Sequence, residues 1–312
     1  MCALTFKGIE DAGFGGYSMT DQLLYNLRWF ADWNFVRNGG FSIYEYSSAS
    51  HWDDDESKLH PVEDERYGQG RVWEASAREF VWESGVTFGS GSADPFRVSG
   101  VYVNGNFHST TAGGIYAHHI DYLNGRVIFD EPKNADDDDI RLEYTGRQVH
   151  VGFADDPEFR TMMLNAVEEF QTDALPSGTP TREHQIWLPS VFIEVINGSA
   201  RGLQLGGGQI KTRYVTFHIF ADRPGTRNLL MDWLDYQSRS TFWLADLNGI
   251  TFPFDEYGDV VSGATNWSDL VSAHPWKLMR VIDSTPATIN SLNSKLFRAR
   301  VTWEIEIDVG NI

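Results

Sequence analysis

From Val301 to Asp308 apolar and polar side chains alternate without a break: Val301, Trp303, Ile305 and Ile307 against Thr302, Glu304, Glu306 and Asp308. A period of two over that length specifies a strand with one face in a core and the other turned to water or a partner. Such a strand needs neighbours. Residues 209–220 offer one, because Tyr214, Thr216, His218 and Phe220 alternate with Arg213, Val215, Phe217 and Ile219, and both sets are largely apolar. A strand of that kind is expected at the centre of a sheet and covered on both sides.

Further strands are expected over Trp187 to Ile196, where Val191, Ile193 and Val195 share a face, and over Phe242 to Leu247, Trp276 to Asp283 and Phe297 to Val309. Gly206, Gly207 and Gly208 turn the chain between two of them. Helices interrupt this pattern. One runs from Pro157 to about Thr172, with Phe159, Met162, Met163, Ala166, Val167 and Phe170 as an apolar stripe. Another spans Thr226 to Ser240, with Leu229, Leu230, Trp233, Leu234 and Gln237 facing inward.

The first half reads differently. Leu23, Leu24, Leu27, Phe30 and Ala31 recur at helical spacing between Thr20 and Trp33, with Ser18 or Thr20 as cap, and Asn38, Gly39 and Gly40 stop that helix. Phe41 to Tyr46 alternates like a strand, and the acidic stretch from His51 to Arg66 is expected to be an exposed loop. Short alternations follow over Phe96 to Val103, Ile115 to Tyr122, Arg126 to Phe129, Ile140 to Tyr144 and Gln148 to Phe153. The pairs Asn104-Gly105, Asn124-Gly125 and Thr145-Gly146 suit turns between such strands, giving an antiparallel β module. The expected fold class is therefore α+β: a helix and β-rich module over 1–154, then a mixed-sheet domain with flanking helices over 155–312. A chain of 312 residues suits two domains.

Charge and composition narrow the function. The formal charge of -19 repels nucleic acid at long range, so sequence-independent DNA binding is not expected. One cysteine, Cys2, leaves no intramolecular disulfide and no cysteine-based zinc site. No stretch reaches the roughly 20 apolar residues that span a bilayer, and no basic, apolar leader opens the chain; a soluble protein made in a cytoplasm is expected.

No catalytic constellation stands out. Asn134, Asp136 and Asp138 alternate like calcium ligands, but Asp139 occupies the place of the required glycine and Glu143 comes too early to close the loop. His118 and His119 are adjacent in a strand and point to opposite faces, while His51, His60, His184 and His274 lie in polar or loop contexts. The glycines before Lys211 lack the spacing of a phosphate loop. No metal or cofactor is expected. Two alternatives remain: a sugar-binding platform made from Trp52, Trp73, Trp82 and Trp267, and a hydrolase whose carboxylate pair hides among many acids.

The strand "PSVFIEVING" and the run "VTFHIFADRPGTRNLLMDWLDYQSRSTFWLAD" between Ser190 and Asp246 resemble virion structural proteins of tailed bacteriophages, in particular neck and tail-terminator proteins. "DQLLYNLRWFADWNFVRNGGF" and "SGVYVNGNF…YLNGRVIFDEP" are similar to structural proteins of such phages as well. The resemblance implies a non-enzymatic protein of the head-to-tail junction, synthesised in the host cytoplasm. It implies a hexameric ring that ends tube growth, joined to other neck, connector and tail-tube proteins, with genomic DNA passing through without specific binding and no membrane contact. The β-rich module is absent from the minimal terminator pattern, which keeps other connector, collar or baseplate positions open, as well as a carbohydrate-binding tail adhesin. Expected subunit contacts are the loop before the second-half helix, with Asp222, Arg223 and Arg227, and the outward face of the last strand, with Thr302, Glu304 and Glu306.

Overall fold

A computed structural model describes residues 17–46, 56–88, 93–135, 137–165, 187–204, 207–250, 252–261, 263–264, 266–291 and 293–309. The chain is α+β and rich in strands, and it forms two compact units. Unit 1 comprises Met1–Ala31, His150–Thr251 and Leu270–Ile312; unit 2 comprises Asp32–Val149 and Phe252–Asp269. The chain therefore passes between the units more than once, where the sequence suggested one cut near residue 154. Helix α1 (Met19–Arg37) runs a turn past the expected end and spans the first crossing.

Among the described residues, unit 2 holds three small sheets. Strand β1 (Phe41–Tyr44) pairs with β9 (Tyr144–Arg147). A second sheet has the order β2 (His60–Val62), β3 (Val72–Glu74), β7 (Arg126–Phe129), β6 (His118–Asp121), and a third joins β5 (Asn106–Ser109), β4 (Gly100–Val103) and β8 (Ile140–Leu142). Asn104 and Gly105 take positive φ between β4 and β5, as a tight hairpin requires. Two expectations change here. Residues 60–62 are an edge strand, because Val72–Glu74 offers them a paired partner inside what reads as an acidic loop. Thr145 and Gly146 lie within β9, not in a turn: a Cβ on Gly146 would meet the Ala77 methyl at 2.5 Å, so the glycine serves close packing.

Buried charge ties part of unit 2 together. The Arg147 side chain is 5% exposed; one Nη2 donates to both Glu83 oxygens at 2.6 Å, and Asp32 lies 3.7 Å from Nη1. Burial opposes the guanidinium charge, but Glu83, Asp32 and Glu79 outweigh it and hold the pKa above the ordinary arginine value.

Unit 1 is built on one six-stranded sheet, order β10 (His150–Phe153), β11 (Ser190–Gln204), β12 (Gly207–Ala221), β15 (Phe297–Val309), β14 (Pro275–Ile289), β13 (Thr241–Ala245). Among its described strands only β10 and β11 are parallel. This explains the early crossing into unit 1, since residues 150–153 read as the end of the β module but pair with Ser190–Ile193. Strand β14 continues past its expected end through Pro286, which is tolerated because β13 pairs only with Pro275–Arg280 and leaves that stretch at an edge.

The first face of the sheet carries Val215, Phe217, Val301, Trp303, Ile305 and Ile307, all 0% exposed. Helix α3 (Pro224–Asp235) buries Leu230 and Leu234 and accepts a hydrogen bond from Trp303 Nε1 at the Leu234 carbonyl, 3.1 Å away. Leu229, expected on the inner stripe, is 69% exposed. The start of α1 also packs in unit 1: Phe30 stacks on Phe242 and Tyr25 meets Phe153 edge-on. Helix α1 does something further. Asn26 Oδ1 accepts from Ala245 N at 2.7 Å while its Nδ2 donates to Ala245 O at 3.0 Å, and Gln22 Oε1 accepts from Leu247 N at 3.2 Å. Two side chains of a helix thus satisfy the outer backbone groups at the end of edge strand β13, as another strand would.

Candidate interface on the second face of the sheet

The second face of the same sheet is read most easily in cross-strand rows. The first two rows contain Ser190, Phe220 and Arg298, then Phe192, His218 and Arg300. Helix α2 (Pro157–Asn165) covers them: Met162 joins Phe192, Phe220 and Leu296 in a buried cluster with Phe159 and Met163 against it. His150 and Glu158 form a 3.0 Å contact between β10 and this helix. The described part of α2 is shorter than expected, and Ala166, Val167 and Phe170 lie outside the described residues.

Beyond α2 the rows change character. Glu194, Thr216, Thr302 and Thr285 make the third row, with the Thr216 and Thr302 hydroxyls 3.3 Å apart. His218 reaches forward to Glu194 at 3.0 Å; burial lowers the histidine pKa and Glu194 opposes that shift. Ile196, Tyr214, Glu304 and Asp283 form the fourth row, and here Ile196 is 47% and Tyr214 39% exposed. Next come Thr212, Glu306 and Arg280, with Arg201 bonded to Glu306 at 2.6 Å. Ile210 and Asp308 follow, and Trp243, opposite Leu278, is 49% exposed on the β13 side.

Of the six residues expected at an interface, Thr302, Glu304 and Glu306 therefore share this face, all half-buried on an interior strand. The other three are elsewhere. Asp222 and Arg223 are exposed between β12 and α3, 3.4 Å from one another, and Arg227 donates to Asn228 Oδ1 on the first turn of α3. Ala221, at the end of β12, pairs with Phe297, so eight residues of β15 separate that loop from Ile305. At strand rise this is about 25 Å. The two expected contact regions are distinct places in unit 1.

Strand β12 is central, as its pattern implied, but Tyr214 is 39% exposed between buried Thr212 and Thr216 on the second face. No local signal marks Ile196 and Tyr214 as an exposed pair, because each sits in an ordinary alternating strand. Only the register places them side by side with Glu304 and Asp283.

Other expected sites resolve differently. Trp73, Trp82 and Trp267 are buried, so they form no sugar platform, and Trp52 lies outside the described residues. At the acidic hairpin Asp138 binds Asn134 N and Asn104 Nδ2, while Asp136 lies outside the described residues. Among the described residues no group of three or more His, Cys, Asp or Glu is arranged for a metal, and no helix is long and apolar enough to cross a membrane. Burial pushes the carboxyls of Asp121 and Asp259 up, but the charges acting on each do not include the other. His118 is buried and donates through Nδ1 to the Tyr116 carbonyl, and His119, on the opposite side, stacks on Tyr257. No protein-family model matches the chain, and a search of curated proteins finds no match.

Proposed function

We propose that this chain is a structural component of a tailed-bacteriophage virion at the head-to-tail connection, a tail terminator whose copies close into a ring that caps the tail tube and joins it to the head. The observation that carries the reading is the sheet of unit 1. One face is packed by α1 and α3, while the other leaves aromatic, aliphatic and acidic side chains in one row beyond α2. A surface of that kind suits assembly. The resemblance of the Ser190 to Asp246 region to neck proteins supplies the particle, in which such a surface meets another neck, connector or tail-tube protein.

Immunogold electron microscopy of a producing lysate, with an antibody against this chain, tests the location. Label at the head-to-tail junction supports the reading. Label at tail fibres supports an adhesin instead, and absence of label from particles overturns both. Native mass spectrometry of the purified chain tests the ring, for which a sixfold species is the expected outcome.

A further inference from the structure

We infer that the second face of the unit 1 sheet, in the rows beyond α2, is the docking surface for a cationic, apolar segment of a different protein. The inference goes beyond the reading above and stands without it.

Three observations carry it. First, Ile196 and Tyr214, 47% and 39% exposed, stand side by side on this face, and Trp243, 49% exposed, lies on the same face three strands away from Tyr214. Large apolar side chains exposed together mark interaction sites more often than scattered ones do. Second, the acids on the face divide into two groups. Glu194 and Glu306 are held by His218 and Arg201, whereas Glu304, Asp283 and Asp308 have no ion pair among the described residues. Glu304 stands directly between Tyr214 and Asp283, so a cation seated there meets two carboxylates while its apolar neighbours meet the ring. Such a segment gains both attraction and burial. Third, three stretches at the margins of the sheet are ill suited to receive an added strand. Asn26 and Gln22 seal the end of β13, Pro286 and the irregularity between Val281 and Asp283 interrupt β14, and another irregularity between Asn197 and Ala200 bends β11. The exposed side chains of the face are the more favourable place to receive a partner.

The net charge selects the occupant. At -19 a second copy brings like charge to an acidic row, which costs association free energy, whereas lysine- or arginine-bearing chains are attracted. The segment expected is an amphipathic one whose basic residues reach Glu304 and Asp308 while its apolar stripe covers Tyr214 and Ile196.

The test uses the full chain and two labelled synthetic peptides, an amphipathic helix of leucine and lysine and its leucine and glutamate counterpart, in fluorescence-polarisation titrations. The expected result is binding of the lysine peptide alone. Tyr214→Ser and Glu304→Lys should each weaken it roughly tenfold, about 1.4 kcal/mol, while Asp137→Lys, on the acidic hairpin of unit 2, should leave it unchanged. Trp243→Ser provides a second apolar variant, and circular dichroism checks that each variant is folded. The inference is overturned if the lysine peptide does not bind, if both peptides bind alike, or if Asp137→Lys weakens binding as much as Glu304→Lys, since generic attraction then suffices. It is also overturned if Tyr214→Ser and Trp243→Ser bind as the parent does. Self-association of the parent chain that Tyr214→Ser abolishes would assign the face to a second copy and overturn it as well.

Discussion

Replacing Asn26 with leucine removes the seal on β13 while keeping the size of the side chain. In the parent structure Asn26 is 0% exposed and satisfies both Ala245 N–H and Ala245 C=O. Leucine satisfies neither. Each buried backbone group left without a partner costs about 1–3 kcal/mol, and burial of the new apolar side chain returns about 1–2 kcal/mol. With two groups stranded, the net expected loss is about 0–5 kcal/mol, centred near 2.5. Asn26→Asp separates hydrogen bonding from packing. Its carboxylate still accepts from Ala245 N–H but turns a second oxygen toward the carbonyls of Ala245 and Gln22, which now receive Nδ2. Protonation restores a donor, so the folded state favours the neutral acid and raises its pKa above the unfolded value. Stability of this variant is then retained below the unfolded aspartate range, near pH 4, and lost as pH rises. Urea unfolding followed by tryptophan fluorescence measures the loss, and native-state hydrogen exchange at Ala245 and Leu247 localises it. If Asn26→Leu is as stable as the parent and the Ala245 amide stays protected, the helix does not seal the edge and the reasoning fails.

Arg147→Met keeps the stem but strands Glu83 and Asp32, which are 0% and 4% exposed, and should destabilise unit 2 by about 3–5 kcal/mol; a Glu83→Gln, Arg147→Met pair that loses as much as the sum of its singles would contradict this account. Burial holds His118 and His218 below the ordinary histidine range, so both contribute stability above about pH 6.5 that disappears as pH falls through their folded values; melting temperature should drop from pH 7 to pH 5, and less so in His218→Phe. Trp303→Ala should cost about 3–5 kcal/mol, because the ring is 0% exposed and lies on Phe217, whereas Glu304→Ala, one residue along, should change stability by less than about 0.5 kcal/mol in chemical denaturation.

The contrast between Trp303 and Glu304 was legible in the sequence, since a strand of period two sorts its own side chains onto two faces. The same locality made the Asn104-Gly105 turn readable, and it made α3 readable from its spacing, although Pro224 starts the helix earlier than expected and leaves Leu229 outside. These features depend on residues within one turn or one strand of one another. Composition likewise determined the acidic character of the surface.

Tertiary structure decided the rest. Gly146 reads as a turn residue until Ala77, far away in sequence, is seen against it. Asn26 reads as a polar interruption of an amphipathic helix, and its purpose appears only when Ala245, 219 residues later, is set beside it. Residues 150–153 read as part of the β module and belong to the other unit's sheet. The candidate interface is of the same kind: Ile196, Tyr214, Glu304 and Asp283 come from four strands, and nothing within any one strand marks it. Local pattern fixes which way a side chain faces. Which strands become neighbours, and in what register, is set by the packing of the whole unit, because pairing free energy depends on contacts between residues that the sequence places far apart.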